Sequence, residues 1–240
     1  PSTSTIVFTG GSQSVVGSQN TNFYNLTLDS GATLVFNNTA TPVNTSSIGN
    51  DWTNNGTFTS SDAEIKFTGA ASSVLGATTT TFDTVIIDTT GTLNVGNTAD
   101  RLHILSEFQN NGAYTTGNSK ILFAGTGIWS GSAATTVKSV DVIGTLTLGN
   151  GDDVTVTSFT LWNVGSFTMD GKSTLWFATG GAFDVRGSFT TSGSTPTITS
   201  SPTSVQYSFT VQNSGSLDLN SGNIANLNAN GINIATTASA

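Results

Sequence analysis

Ile6-Val7-Phe8-Thr9-Gly10 returns as Ile65-Lys66-Phe67-Thr68-Gly69, as Ile121-Leu122-Phe123-Ala124-Gly125 and, loosened, as Leu175-Trp176-Phe177 ahead of Gly180. The four phenylalanines lie 59, 56 and 54 residues apart. A short apolar strand that ends in an aromatic and a turn, and then recurs, marks a repeat architecture. Such a unit cannot bury its apolar face alone and must stack on its neighbours.

Other phrases keep the same spacing. Phe23-Tyr24-Asn25-Leu26-Thr27-Leu28 runs into Gly31-Ala32-Thr33-Leu34. Its counterparts are 82–87 running into Gly91-Thr92-Leu93, and 137–142 running into Gly144-Thr145-Leu146. A third element reads Trp52-Thr53-Asn54-Asn55-Gly56-Thr57-Phe58, then Phe108-Gln109-Asn110-Asn111-Gly112-Ala113-Tyr114, then Leu161-Trp162-Asn163-Val164-Gly165-Ser166-Phe167. Worn copies follow at Gly187-Ser188-Phe189 and Gly215-Ser216-Leu217. Apolar residues at i and i+2, as in Leu26/Leu28 and Leu146/Leu148, put one strand face inward and one outward. Gly and Asn supply the turns.

These features predict an all-β chain, a right-handed parallel β-solenoid built from about four degenerate units near 4–62, 63–118, 119–172 and 173–240. They form one elongated domain over 1–240, each unit making roughly two coils of three sides, about eight in all. Antiparallel β-sandwiches remain the alternative, because strands separated by turns every 8–12 residues or so describe them equally well. The Thr-rich stretches 41–47 and 77–81 read as wide loops.

Composition narrows the function classes. Charged residues make up 8% of the chain and the net charge is −8. The six Lys and Arg are spread singly, which argues against nucleic acid and anionic membranes, since both need clustered cations. The sequence has no Cys, so disulfides and thiolate metal sites are excluded. No apolar stretch approaches the ~18 residues of a membrane span. A surface of Thr, Ser, Asn and Gly with few lysines fits an extracellular or cell-surface location. The start at Pro1 is expected to follow a removed export segment or precursor region.

The Phe-x-Asn-Leu-x-Leu…Gly-x-x-Leu and Trp/Phe-x-Asn-Asn-Gly-x-Phe phrasing resembles the β-helical repeats of large bacterial and archaeal surface proteins, including adhesin-like and filament-forming ones. The resemblance covers Ile6 to about Phe189. It implies architecture and carries over no site residue, because these phrases encode inward packing and turns.

Catalytic, cofactor-binding and metal-binding residues are all expected to be absent. His103 is the only histidine and alternates with Leu102 and Ile104, so it reads as an outward structural residue. Asp83, Asp141 and Asp184 hold related strand positions that could align carboxylates, although solvated positions account for them. Arg101 and Arg186 are the only arginines, and neither lies among several acids. Gly149-Asn150-Gly151-Asp152-Asp153 has calcium-compatible oxygens but occurs once, and plain turn chemistry explains it. Trp52, Phe58, Phe67, Phe82, Phe108, Phe123 and Phe177 recur as core stacks. Trp129 and Trp162 do not recur in every unit, so either could be an exposed sugar-stacking platform. An ice-binding face would need Thr-x-Thr at one offset on every coil. Asn-x-Ser/Thr sequons occur at Asn25, Asn37, Asn44 and Asn55.

Neither end carries an amphipathic cap. The resulting expectation is a non-enzymatic extracellular structural protein. It would be a homopolymer or homo-oligomer joined through its two ends by strand pairing, as a filament or cell-surface layer. The alternative is an adhesin or carbohydrate-binding β-helix that takes surface glycans.

Overall fold

The computed structural model describes residues 3–16, 19–37, 45–96, 102–117, 120–149 and 151–235. Among them the regular structure is 27 strands with no helix, and no helix is long and apolar enough to cross a membrane. The described strand pairings are all parallel. Parallel neighbours require a crossover between them, so hairpin-built sandwiches are excluded and the fold is a β-solenoid. The chain divides into two compact units, Pro1–Ser119 and Lys120–Ala240, which together hold about 10 coils.

In the first unit one ladder stacks Thr5–Phe8, Asn25–Leu28, Asp51–Asn54, Ser72–Leu75, Thr92–Val95 and Ala113–Thr116. A second stacks Ser12–Val16, Thr33–Asn37 and Thr57–Ser61. A third runs from Asn22–Phe23 through Thr45–Ile48 and Glu64–Phe67 to Thr80–Ile87 and Leu102–Asn110. The last two strands are long, and their register shifts between Phe82 and Thr84. A bulge of this kind bends one strand around a corner of the coil.

The second unit repeats the plan. Thr126–Ser130, Thr145–Leu148, Ser166–Met169, Ser188–Thr191 and Ser216–Leu219 form one side. Thr135–Val142, Asp153–Leu161 and Thr174–Val185 are long strands that span the other two sides. On the next coil Thr174–Val185 is met by two separate strands, Thr197–Ser200 and Tyr207–Val211, so three sides are present.

Strands alternate buried and half-buried residues as the period of two demands, and like side chains stack coil upon coil. Phe159, Phe183 and Phe209 form one such column, with ring centroids 5.3 and 4.7 Å apart. The seven recurring aromatics, Trp52 to Phe177, are all buried.

The stacking period differs from the spacing of the quoted motifs. Residues paired across neighbouring coils are separated by 19 (Lys120 beside Ser139) to 28 positions (Ser188 beside Ser216). A spacing of 54–59 is therefore not two coils, and the motif phenylalanines fall in different columns. Phe8 stands over Leu28, whereas Phe67 lies between Ile48 and Ile87 on another side. Phe123 shares a column with Val142, Leu161, Val185, Val211 and Ile234, whereas Phe177 stacks on Val156 and Ser200.

The repeat that does stack is the Gly-x-apolar corner. Leu146, Phe167, Phe189 and Leu217 occupy one column on four consecutive coils. At each corner the residue after the glycine donates its N–H to a backbone carbonyl of the preceding coil's corner. Ser166 bonds Gly144 at 2.8 Å, Ser188 bonds Gly165 at 3.0 Å and Ser216 bonds Gly187 at 2.9 Å. In the first unit Ala113 bonds Gly91 in the same way, at 2.9 Å. Asn110, fully buried at the end of its strand, turns its Oδ1 back to accept the Gly112 N–H at 3.2 Å. That bond is the physical content of the Asn-Asn-Gly phrase.

The expected wide loops are corrected. Thr80 and Thr81 begin a strand, so only residues 76–79 connect it to Leu75. Residues 41–44 lie outside the described residues, and Thr45–Ile48 is a strand.

A methyl group at Gly187 would fall on the carbonyl oxygens of Gly165 and Trp162, under 3.0 Å from both. Gly187→Ala is therefore expected to destabilise the protein by about 1–3 kcal/mol. Gly96→Ala, whose added carbon meets nothing nearer than 4.0 Å, is expected to stay within about 0.5 kcal/mol of the parent. Thermal unfolding of the two variants checks the difference.

Candidate functional site

The second unit carries a groove of about 400 Å³ lined by Asn163, Arg186, Gln212, Asn213 and Ser214. Its origin is a difference in corner length. The corner between Val185 and Ser188 holds two residues, Arg186 and Gly187. The corners of the flanking coils hold four each, Trp162 to Gly165 and Gln212 to Gly215. Two long corners project on either side of a short one and leave a recess with Arg186 as its floor.

Register fixes what faces the recess. Val142, Leu161, Val185 and Val211 share an inward column, so the next residues, Ile143, Trp162, Arg186 and Gln212, line up at the corner. The Arg186 guanidinium lies 4.6 Å from the centroid of the Trp162 ring, a cation–π contact. Its Nε and Nη2 donate to Asp184 Oδ2 at 2.8 and 2.7 Å, and Gln212 Nε2 donates to Asp184 Oδ1 at 2.8 Å. The Ser214 hydroxyl donates to the Arg186 carbonyl at 2.8 Å and lies 3.3 Å from Asn163 Oδ1, bridging the long corners. The floor is thus a charge-neutral, hydrogen-bonded cluster. Trp162, Ile143 and Val164 remain exposed beside it, at 38%, 39% and 86%.

The two tryptophans singled out by sequence separate cleanly. Trp129 is buried and packs against Phe123 at 5.5 Å, so it is a core residue and not a platform. Trp162 is the exposed one. Asp141 and Asp184 do share a column, with Thr160 between them. Two coil rises separate them by about 9–10 Å. Each is held by a cation, Asp141 by Lys120 at 2.9 Å and Asp184 by Arg186. Asp83 accepts a bond from Ser106 at 2.7 Å. His103 is half-buried on the outward side of its strand.

In the Gly149–Asp153 segment the Asp152 N–H bonds to the Gly149 carbonyl at 3.2 Å and Gly151 has a φ of 91°. Asn150 and Arg101 lie outside the described residues. Among those described, no three His, Cys, Asp or Glu side chains gather around one point.

Of the sequons, Asn25 is built into a side-chain ladder, donating to Thr5 Oγ1 and accepting from Asn50 Nδ2 and the Asp51 N–H. Asn55 accepts the Ala77 N–H, Asn37 is exposed, and Asn44 lies outside the described residues. Thr145/Thr147, Ser166/Thr168, Ser188/Thr190 and Ser216/Asp218 align on four coils, but only the first coil has threonine at both positions.

Two groups elsewhere titrate away from their ordinary values. The Lys66 ammonium, 3.0 Å away, holds the Asp88 carboxyl below the usual range, and burial pushes the Tyr207 hydroxyl up.

Compared with known families, curated proteins and solved structures, the chain matches none of them.

Trp129→Ala is expected to cost about 3–5 kcal/mol of stability, as for a buried aromatic. Trp162→Ala should change the melting temperature far less. Parallel melts of the two variants test the assignment of one to the core and the other to the surface.

Proposed function

We propose that the chain is a non-enzymatic structural protein of the extracellular space or cell surface, and that copies of it join end to end by β-strand pairing into a filament or layer. The observation that carries this reading is the state of the outermost coils. Ile6 stands over buried Leu26 in an inward column, yet is 44% exposed. Ile234 stands over buried Val211 at 63% exposure, and Leu219 over Thr191 at 43%. Among the described residues, no further strand stacks on the outer side of these inward-column positions.

Edge strands of monomeric proteins are usually blunted by charge or proline. Thr5–Phe8, Ser12–Val16 and Asn22–Phe23 carry neither, and Asp218 is the one charge in Ser216–Leu219, Asn223–Ile224 and Leu227–Ile234. An incoming parallel strand would extend both the hydrogen-bond ladder and the apolar columns. The two edges differ in sequence, so the contact is heterologous and propagates unless it closes. An uncharged Thr, Ser and Asn surface is consistent with an exposed extracellular role.

The purified chain is expected to show concentration-dependent growth in light scattering and fibres or sheets in negative-stain images. Ile6→Lys with Ile234→Lys should abolish both while leaving the circular dichroism unchanged. A parent chain that stays monodisperse and monomeric at every concentration contradicts the reading.

A further inference from the structure

We propose that the groove floored by Arg186 binds a neutral oligosaccharide, with the Trp162 indole as its apolar platform. The groove lies at a coil corner and uses none of the edge-strand residues themselves, although its Gln212–Gly215 wall leads into Ser216–Leu219, so its test is kept separate from that of assembly.

The recess is preformed. Its walls are the backbones of two long corners and its floor is the short corner between them, so binding has little conformational freedom to remove. Its 400 Å³ volume falls at the lower end of small-molecule sites, about 300–1,000 Å³. Its polar groups converge from three coils. Asn163 and Ser214 meet across the recess at 3.3 Å, a contact that a ligand hydroxyl would replace, and Gln212 and Arg186 are fixed through Asp184. Carboxamides and a hydroxyl offer donors and acceptors together, as a ligand rich in hydroxyl groups requires.

Charge and surface select among ligand classes. Both guanidinium bonds shown go to Asp184, so the cluster carries no net charge. A sulfated or uronate chain would find no unpaired cation there, and the chain's net charge of −8 would repel it. A pyranose instead presents an apolar C–H face to an aromatic ring while its hydroxyl edges meet polar side chains. Trp162 is 38% exposed beside the recess, with the Arg186 guanidinium stacked on one face of its ring and with Ile143 and Val164 also exposed, so the apolar surface on offer is the part of the indole that Arg186 leaves uncovered. A partly exposed indole next to a polar recess suits that two-sided ligand.

The test titrates the full chain with glucose-, mannose-, galactose- and N-acetylglucosamine-based oligosaccharides, alongside polyuronate and sulfated oligosaccharides and a Ser/Thr-rich peptide. Amide chemical shifts, read on the non-assembling Ile6→Lys/Ile234→Lys chain, and tryptophan fluorescence, read on that chain and on the parent, are the readouts. At least one neutral oligosaccharide is expected to saturate, shifting resonances of Trp162, Asn163 and Gln212. Trp162→Ala should weaken it roughly tenfold or more, and Ser214→Trp, which fills the recess, should also weaken it. Neither variant should change the fold. The Ile6→Lys/Ile234→Lys chain should bind as the parent does, which separates failure of this site from failure of assembly. The proposal is overturned if no neutral oligosaccharide saturates, if the acidic chains or the peptide bind more tightly, or if both groove variants bind undiminished.

Discussion

The structure depends on parallel backbone hydrogen bonding between consecutive coils, and above all on its continuity through the corners. Along the strands the buried face already fixes the register, because a one-residue slip would turn every inward side chain outward. At the Gly-x-apolar corner the N–H after the glycine meets a carbonyl of the coil before, as in Ser188 to Gly165. The chain backbones come so close there that no side-chain carbon fits at Gly187 or Gly112. This contact carries the register through the corners, and register sets everything outside it. It stacks Leu146, Phe167, Phe189 and Leu217 inward and leaves Trp162, Arg186 and Gln212 in a row at the surface.

Repetition then turns small sequence differences into shape. A corner may gain two residues without disturbing the ladders, because the added chain loops outward. One short corner between two long ones is sufficient to make a recess, and the side chains in it come from positions up to 51 apart in sequence. The exposed inward-column residues Ile6 and Ile234 and the groove beside Trp162 both follow from a fold that adds one coil at a time.

Much of the fold was legible in the sequence. Period-two strands, glycine turns, the lack of helical spacing and the recurring aromatics pointed to a parallel solenoid, and they did so correctly. The 54–59-residue spacing of the motifs is not the stacking period, which runs from 19 to 28 residues. Gly144-Thr145-Leu146 and Gly165-Ser166-Phe167 were assigned to different elements of one long unit, although they are the same position on adjacent coils. The cause is physical: the corner before one has two residues and the corner before the other has four, so neighbouring coils look unlike. Trp129 resembled Trp162 in being unique, and only the register shows that it stacks beside Leu148 in the core. The groove was half visible. Trp162 drew attention, whereas Arg186, Gln212 and Ser214 needed the coil length to be brought to it. A comparison of corner lengths, two residues against four, is the signal that could have found them.

The central claim is the coil register, and the absence of native cysteines makes it directly measurable by paired spin labels. Thr168 and Thr190 are outward register partners on adjacent coils, so nitroxides placed there through cysteine substitutions start from backbones about 5 Å apart. Leu122 and Trp176 hold equivalent places in the 54-residue motif but stand on different sides of the coil. Strong dipolar broadening for the first pair and none for the second is the result this register requires. Broadening for the second pair, or its lack in the first, would contradict it.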